Sequence, residues 1–238
     1  MKKILWIAAL AGLMTGVMAQ AGEVFYQSNF TGADLTSAGL ETVNTAGGVW
    51  SLDTVNDRAK FDGTGNARAN LYTTTSWQSD DGFTLNVTFN QIADGTWCDF
   101  GLVDAGFVLG GNPPLQNTTA YSIGFATSGA LAGGGDCLGF NNSSTKSVLS
   151  TAQGNITLNT AQTLSFTVTS TNWSYSLNGA AATTGAMTFD TSRNFKFYAF
   201  LQGGTPSATG SYFSNIKLTT PGLAPPPDAK SVELIIYQ

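Results

Sequence analysis

Apolar and polar residues alternate with a period of two along most of this chain, the pattern of half-buried β-strands. Phe83, Leu85, Val87 and Phe89 alternate with Thr84, Asn86, Thr88 and Asn90, and Asp80-Asp81-Gly82 marks the start of that run. Leu164, Phe166 and Val168 alternate with threonine and serine. Trp173–Leu177 is predicted to pair with them, next to the hairpin signal Asn178-Gly179. Phe195, Phe197, Ala199 and Leu201 oppose Lys196, Tyr198 and Phe200, while Tyr121, Ile123 and Phe125 define a further strand. Between Thr96 and Val108, Cys98, Phe100 and Leu102 fall on one side and Trp97, Asp99 and Val103 on the other. A closing strand runs from Gly210 to Thr220. Strict alternation there puts Tyr212, Ser214, Ile216 and Leu218 on one face and Phe213, Asn215, Lys217 and Thr219 on the other.

Shorter runs complete the count. Val24–Phe30 opens the domain, and 49–52 with 58–61 bracket the turn-forming Asp53–Asp57 as a hairpin. Ala67–Thr73 supplies another strand. The stretch Gly110–Leu115, with Pro113 and Pro114 in tandem, cannot belong to a central strand. No run of ten residues after the first 21 has helical periodicity. The expectation is all-β: a two-sheet antiparallel β-sandwich over 22–220. Pro221–Pro227 reads as a semi-rigid linker, and Ser231–Tyr237 as a short strand that either joins a sheet edge or belongs to something further on.

Residues 1–21 read as a secretory signal: Lys2 and Lys3, an apolar stretch from Ile4 to Val17, then small residues around Ala19 and Ala21. At about 14 residues that stretch is short for a bilayer span, although an uncleaved anchor stays open. The expected location is secreted, periplasmic or cell-surface, with no membrane span once the signal is cleaved, and the short basic start suggests a bacterial export signal. Charge is sparse, at 11% Asp, Glu, Lys and Arg with a net −5, so nucleic acid is excluded as a partner. In an oxidising compartment Cys98 and Cys137 are expected to form a disulfide. Closing a loop of about 40 residues would contribute about 3–4 kcal/mol by chain entropy. Two buried free thiols are the alternative.

Four strings carry a resemblance to a known superfamily: Phe25–Phe30, Trp97–Val103, Trp173–Gly179 and Tyr212–Leu218. With the order of strands over about residues 23 to 220, they resemble the concanavalin A-like, laminin-G-like jelly rolls of exported bacterial proteins. That superfamily includes lectins, carbohydrate-binding modules, adhesins, hydrolases and lyases, so the resemblance implies glycan handling without choosing a chemistry.

The residues narrow the choice. Hydrolases of this fold carry a Glu-x-Asp-x-Glu strand motif. This chain has no such string, and its glutamates are Glu23, Glu41 and Glu233 alone. A retaining mechanism needs two carboxyls about 5–5.5 Å apart, which Asp99 with Asp104 or Asp136 would have to supply. A lyase would have to use Tyr121 or Tyr198 as base. The chain contains no histidine, which removes Ser-His-Asp chemistry and the common transition-metal sites. Calcium stays open: Asp53, Asn56 and Asp57 group oxygen donors, though the same residues make an ordinary Asx turn.

A non-catalytic glycan site needs an aromatic platform beside amides and carboxylates. Trp97 and Asp99 are in phase, and Tyr121, Asn141 and Asn142 are the neighbours expected around them. In the alternative, Trp97 completes the core and Cys98 faces outward. The reading is thus a lectin-like binder of glycan or polysaccharide with no cofactor beyond a structural calcium. A structural or adhesion protein contacting other surface proteins, and an enzyme of the same fold, are the alternatives.

Overall fold

The computed structural model describes residues 22–93, 97–127, 136–151, 156–203 and 207–222. The leader, the Gly133–Gly135 turn and the expected strand at 231–237 lie outside them. Within these residues the strands are β1 (Val24–Ser28), β2 (Leu40–Thr45), β3 (Val49–Asp53), β4 (Arg58–Asp62), β5 (Arg68–Thr73), β6 (Phe83–Asn90), β7 (Trp97–Asp104), β8 (Tyr121–Ala126), β9 (Cys137–Asn142), β10 (Lys146–Thr151), β11 (Gln162–Val168), β12 (Asn172–Leu177), β13 (Thr183–Ala186), β14 (Phe195–Gln202) and β15 (Tyr212–Thr219). No described helix is long and apolar enough to cross a membrane.

Two antiparallel sheets form. One runs β13-β12-β11-β6-β15-β4-β3, with β1 also paired to β15; the other runs β10-β9-β8-β7-β14-β5-β2. They pack face to face because the period-two pattern gives each an apolar side. The core is aromatic: Phe89 and Phe100 pack as a tilted pair at 4.8 Å between ring centroids, and Phe213 meets Phe100 edge-on at 5.2 Å. Each such buried ring contributes about 1.5–3 kcal/mol. Trp50 and Trp173 are core residues, and Trp77 packs half-buried at the rim.

Two features depart from the alternation. In β15 the register slips between Phe213 and Asn215, so Phe213 faces the core together with Ile216 and Leu218. This bulge overturns the expected split of that strand into odd and even faces. The strands β2, β10 and β13 were not apparent from the sequence pattern. All three are sheet edges with short, mostly polar sequences, where neither face need be continuously apolar.

The seven-stranded sheet is covered on its second face as well. After β7 the chain does not turn directly into β8. Residues 105–120, including a single 3-10 turn at Pro114–Gln116, fold back across the outer face of the sheet. Leu115 packs on Ala126 and Cys137 there, and Ala120 packs with Val103 and Tyr198, with Phe107 and Leu109 alongside. The tandem prolines that exclude a strand serve this strap.

Candidate functional site

The outer face of the seven-stranded sheet can be read row by row from the pairing register. One row runs Asn70, Phe200, Asp99, Ala126, Cys137 across β5, β14, β7, β8 and β9. The next runs Tyr72, Tyr198, Gly101, Gly124, Gly139. The glycines leave a trough. A Cβ on Gly124 would stand 2.4 Å from the Phe100 carbonyl and 2.9 Å from the Tyr198 hydroxyl, so side chains are excluded where the phenol passes. Tyr198 donates to Asp99 Oδ1 at 2.6 Å, and both residues are fully buried. Burial pushes the Asp99 carboxyl up to about 7, against the Tyr198 hydroxyl and the Leu115 amide, which favour its charged form. The Tyr198 hydroxyl is driven well above its usual range by burial and by Asp99.

This geometry revises the expected contact residues. Trp97 and Asp99 do share the outer face, with Cys98 in the core, but Asp99 lies beneath the strap rather than at the surface. Asn141 is equally buried, donating from Nδ2 to the carbonyls of Pro114 and Asn117. Its role is to tether the strap. Tyr121 faces inward among Phe140, Phe189 and Phe195, and its hydroxyl accepts from the Asp190 amide at 2.7 Å. Asn142 is exposed and accepts from the amides of Ser144 and Thr145 in a turn. Trp97 is half-buried at the far end of β7. Seven residues of strand, about 24 Å, separate it from Asp104, beside which Tyr121 lies. The five residues therefore do not form one site.

The disulfide is also corrected. Cys98 and Cys137 are both buried and free. Cys98 points into the sandwich and Cys137 out under the strap, on β7 and β9 with β8 between them. Two strand spacings amount to about 10 Å, and opposite faces cannot be bridged. Burial raises the Cys137 thiol to about 11 and pushes the Cys98 thiol well above its usual range. Asp53 accepts from Asn56 and, at 2.8 Å, from Arg58 Nε, which holds its carboxyl below the usual range; with Asn56 and Asp57 it forms the Asx hairpin turn. Among the described residues no group of three or more acidic or thiol side chains could hold a metal ion. Nor do Asp99 and Asp104 pair as a retaining hydrolase requires. Asp99 and Asp104 are five residues apart on one strand and out of phase, and Asp136 accepts from the Ile156 amide.

An open cleft of about 490 Å³ lies where the strap leaves β7 and returns to β8. Asp104, Gly106, Phe107, Val108, Asn117, Thr119, Tyr121, Ser143 and Arg193 line it. Arg193 organises its floor. The guanidinium donates to Asp104 and Asp190, at 2.9 Å each, and lies 4.4 Å from the centre of the Tyr121 ring. Asp190 is held below its usual range by Ser192 and Arg193. Val108 is 85% exposed beside half-buried Phe107, an apolar ledge next to a fixed carboxylate. Of the expected residues, only Tyr121 lines this cleft, with Asn142 adjoining it through Ser143. Asp104, Asn117 and Arg193 were missed as a group, because they come from three distant segments and only the turn-forming Asp190-x-x-Arg193 hints at them.

No family model matches the chain, and no curated protein matches it in sequence. Solved structures do match its fold. The Emp47p carbohydrate recognition domain superposes with a TM-score of 0.65 at 11% identity, covering 83% of this chain and 97% of that one. The chain has the jelly-roll fold of lectin domains. The VIP36 exoplasmic/lumenal domain, in a form bound to Ca2+ and Man2, gives 0.60 at 11% identity over 87% and 92% of the two chains. The potassium-bound Emp46p carbohydrate recognition domain gives 0.60 at 12% over 79% and 90%. At these identities the likeness establishes the concanavalin A-like architecture and leaves function to the residues.

Proposed function

We propose that this is an exported, non-catalytic, lectin-like protein that binds a neutral saccharide in the Asp104–Arg193 cleft. The observation that carries the reading is the convergence in that cleft of an ion-paired carboxylate, an amide, hydroxyls and an apolar ledge. Saccharides present both an apolar C–H face and a ring of hydroxyls, and this set addresses both. Phe107 and Val108 supply apolar area. Asp104 accepts from sugar hydroxyls, while Asn117, Thr119 and Ser143 donate and accept around it. Arg193 holds the Asp104 carboxylate in place through their ion pair, so little ordering is left to occur on binding. The fold supports the same reading, since its solved counterparts include the Emp47p carbohydrate recognition domain and the VIP36 exoplasmic/lumenal domain in a Man2-bound form. Export rests on the leader at 1–21.

The test is a glycan panel screened with the mature protein, with calcium and with chelator, beside Asp104→Asn. A saccharide hit that the substitution weakens about tenfold or more supports the reading. A folded wild-type protein with no hit overturns it and favours a structural or adhesion role. Release of reducing ends or unsaturated product from the hit would replace binding by catalysis.

A further inference from the structure

Two walls of the open cleft come from separate parts of the chain. One is the returning end of the strap, with Asn117 and Thr119; the other is the turn after β9, with Ser143. Behind both stands Asn141, which does not itself line the cleft. It lies on the covered face of β9, opposite Ser122 of β8, and is completely buried. Its amide is fully used. Nδ2 donates to the Pro114 carbonyl at 3.0 Å and to the carbonyl of Asn117, 24 residues earlier, while Oδ1 accepts from the Ser143 amide at 3.2 Å. Both N–H groups of one side chain thus reach the strap, and its oxygen holds the turn.

Each wall depends on that hold. Ser143 has a φ of 72°, in the left-handed region that a residue with a side chain enters only at a cost. Such a conformation persists where its surroundings fix it, and the bond to Asn141 is part of that fixing. On the strap, Asn117 closes the 3-10 turn and organises the residues after it. Its Oδ1 accepts from the Thr119 amide at 3.1 Å and from the Thr119 hydroxyl at 2.9 Å, and its carbonyl accepts from the Ala120 amide at 3.0 Å. A shift of Asn117 therefore carries Thr119 with it.

We propose that Asn141 is a positioning residue for ligand binding in the Asp104–Arg193 cleft: one buried amide sets the separation between the Asn117–Thr119 wall and Ser143. The inference rests on the saccharide reading of that cleft and adds to it a residue that touches no ligand. Polar contacts to a saccharide are directional, so walls that moved independently would have to be ordered at the moment of binding, which lowers affinity. A shared tether removes that step before the ligand arrives. Asn141 acts through Asn117 and Ser143, and its effect on binding exists only while those two side chains are present.

Asn141→Ala removes all three bonds, and amide exchange followed by NMR reads the result without ligand. The amides of Thr119, Ala120 and Ser143 are expected to exchange about tenfold faster together, with those of β11 unchanged. Acceleration at one wall alone overturns the link. Asn141→Ser, which keeps a hydroxyl too short to reach both walls, gives the same contrast should the alanine variant not fold. Binding is read by calorimetry with gluco-, manno-, galacto- and xylohexaose. Asn141→Ala is expected to weaken the saccharide that wild type binds by about tenfold, while Val87→Ala, a core truncation in the other sheet, lowers stability and leaves affinity as it was. A cycle separates positioning from general support. Asn117→Ala with Ser143→Ala weakens binding, and adding Asn141→Ala to that pair weakens it no further. Additive losses overturn the proposal. Unchanged affinity in a folded Asn141→Ala protein overturns it and leaves the cleft reading standing, whereas a wild type that binds none of the four sugars overturns both.

Discussion

Tyr198 and Asp99 form a hydrogen-bonded pair, 2.6 Å between oxygens, on neighbouring strands and shielded from solvent on both sides. The register of β14 on β7 sets Tyr198 opposite Gly101, and the missing side chain there lets the phenol reach diagonally to Asp99. A carboxyl in such a place is stable only while something donates to it. The strap excludes water from it, and the tyrosine substitutes for part of that water.

Tyr198→Phe removes the donor and keeps the ring. It is expected to destabilise the fold by about 1–3 kcal/mol, the cost of an unmet buried acceptor, without changing the slope of urea unfolding. An unchanged midpoint would mean that Asp99 finds another partner.

The pH dependence of stability has a definite sign. With its carboxyl raised from 3.8 to about 7, Asp99 keeps its proton in the folded state where the unfolded chain has lost it. Its contribution is full below the ordinary carboxyl range and is lost as pH rises through about 7. The slope reaches at most about 1.4 kcal/mol per pH unit between pH 4 and 7. Burial, with Asp99 nearby, pushes the Cys98 and Cys137 thiols up and away from that window. Asp53 and Asp190, both held low, act in the opposite sense and only at more acidic pH. Chemical denaturation across the window should show stability falling toward neutrality in wild type and flat in Asp99→Asn. Parallel curves would contradict the assignment.

Gly124→Ala should be among the most damaging single-methyl changes in this chain. The new carbon would stand 2.4 Å from the Phe100 carbonyl oxygen, which belongs to the backbone of the adjoining strand and cannot rotate away. A loss of about 1–3 kcal/mol or more is expected in thermal or urea unfolding, and Tyr198→Phe should not rescue it because the carbonyl contact remains.

Both cysteines should titrate as free thiols in denaturant, even in protein recovered from an oxidising compartment. One thiol-reactive equivalent per cysteine, with no mass change on reduction, is the expected result. A reducible cross-link within the chain would require β7 and β9 to be arranged differently.

Much of the fold was legible in the sequence because its central strands alternate cleanly. Phe83–Phe89 and Phe195–Leu201 each place every second residue in the core, as their sequences imply. Phe213 escaped that logic through a bulge, which leaves no mark in the pattern. The site was harder to read for a physical reason. Alternation placed Asp99 on the outer face but could not tell that a loop of the chain itself would cover that face. Polar residues on a sheet surface look the same in sequence whether they meet water, a ligand or a strap. The strap also explains why Asn141, a plausible sugar contact by type, holds Pro114 and Asn117 instead. The cleft at Asp104 depends on Arg193 arriving from a turn 89 residues away, a relation that no local pattern encodes.

The central claim is that the saccharide site lies at the Asp104 end of β7 and not at the Trp97 end. Once a saccharide ligand is in hand, titration calorimetry of Asp104→Asn and Trp97→Ala side by side tests it most directly. The account predicts that Asp104→Asn loses about tenfold or more in affinity while Trp97→Ala binds as wild type. Loss of binding in a folded Trp97→Ala protein, with Asp104→Asn unaffected, would contradict it.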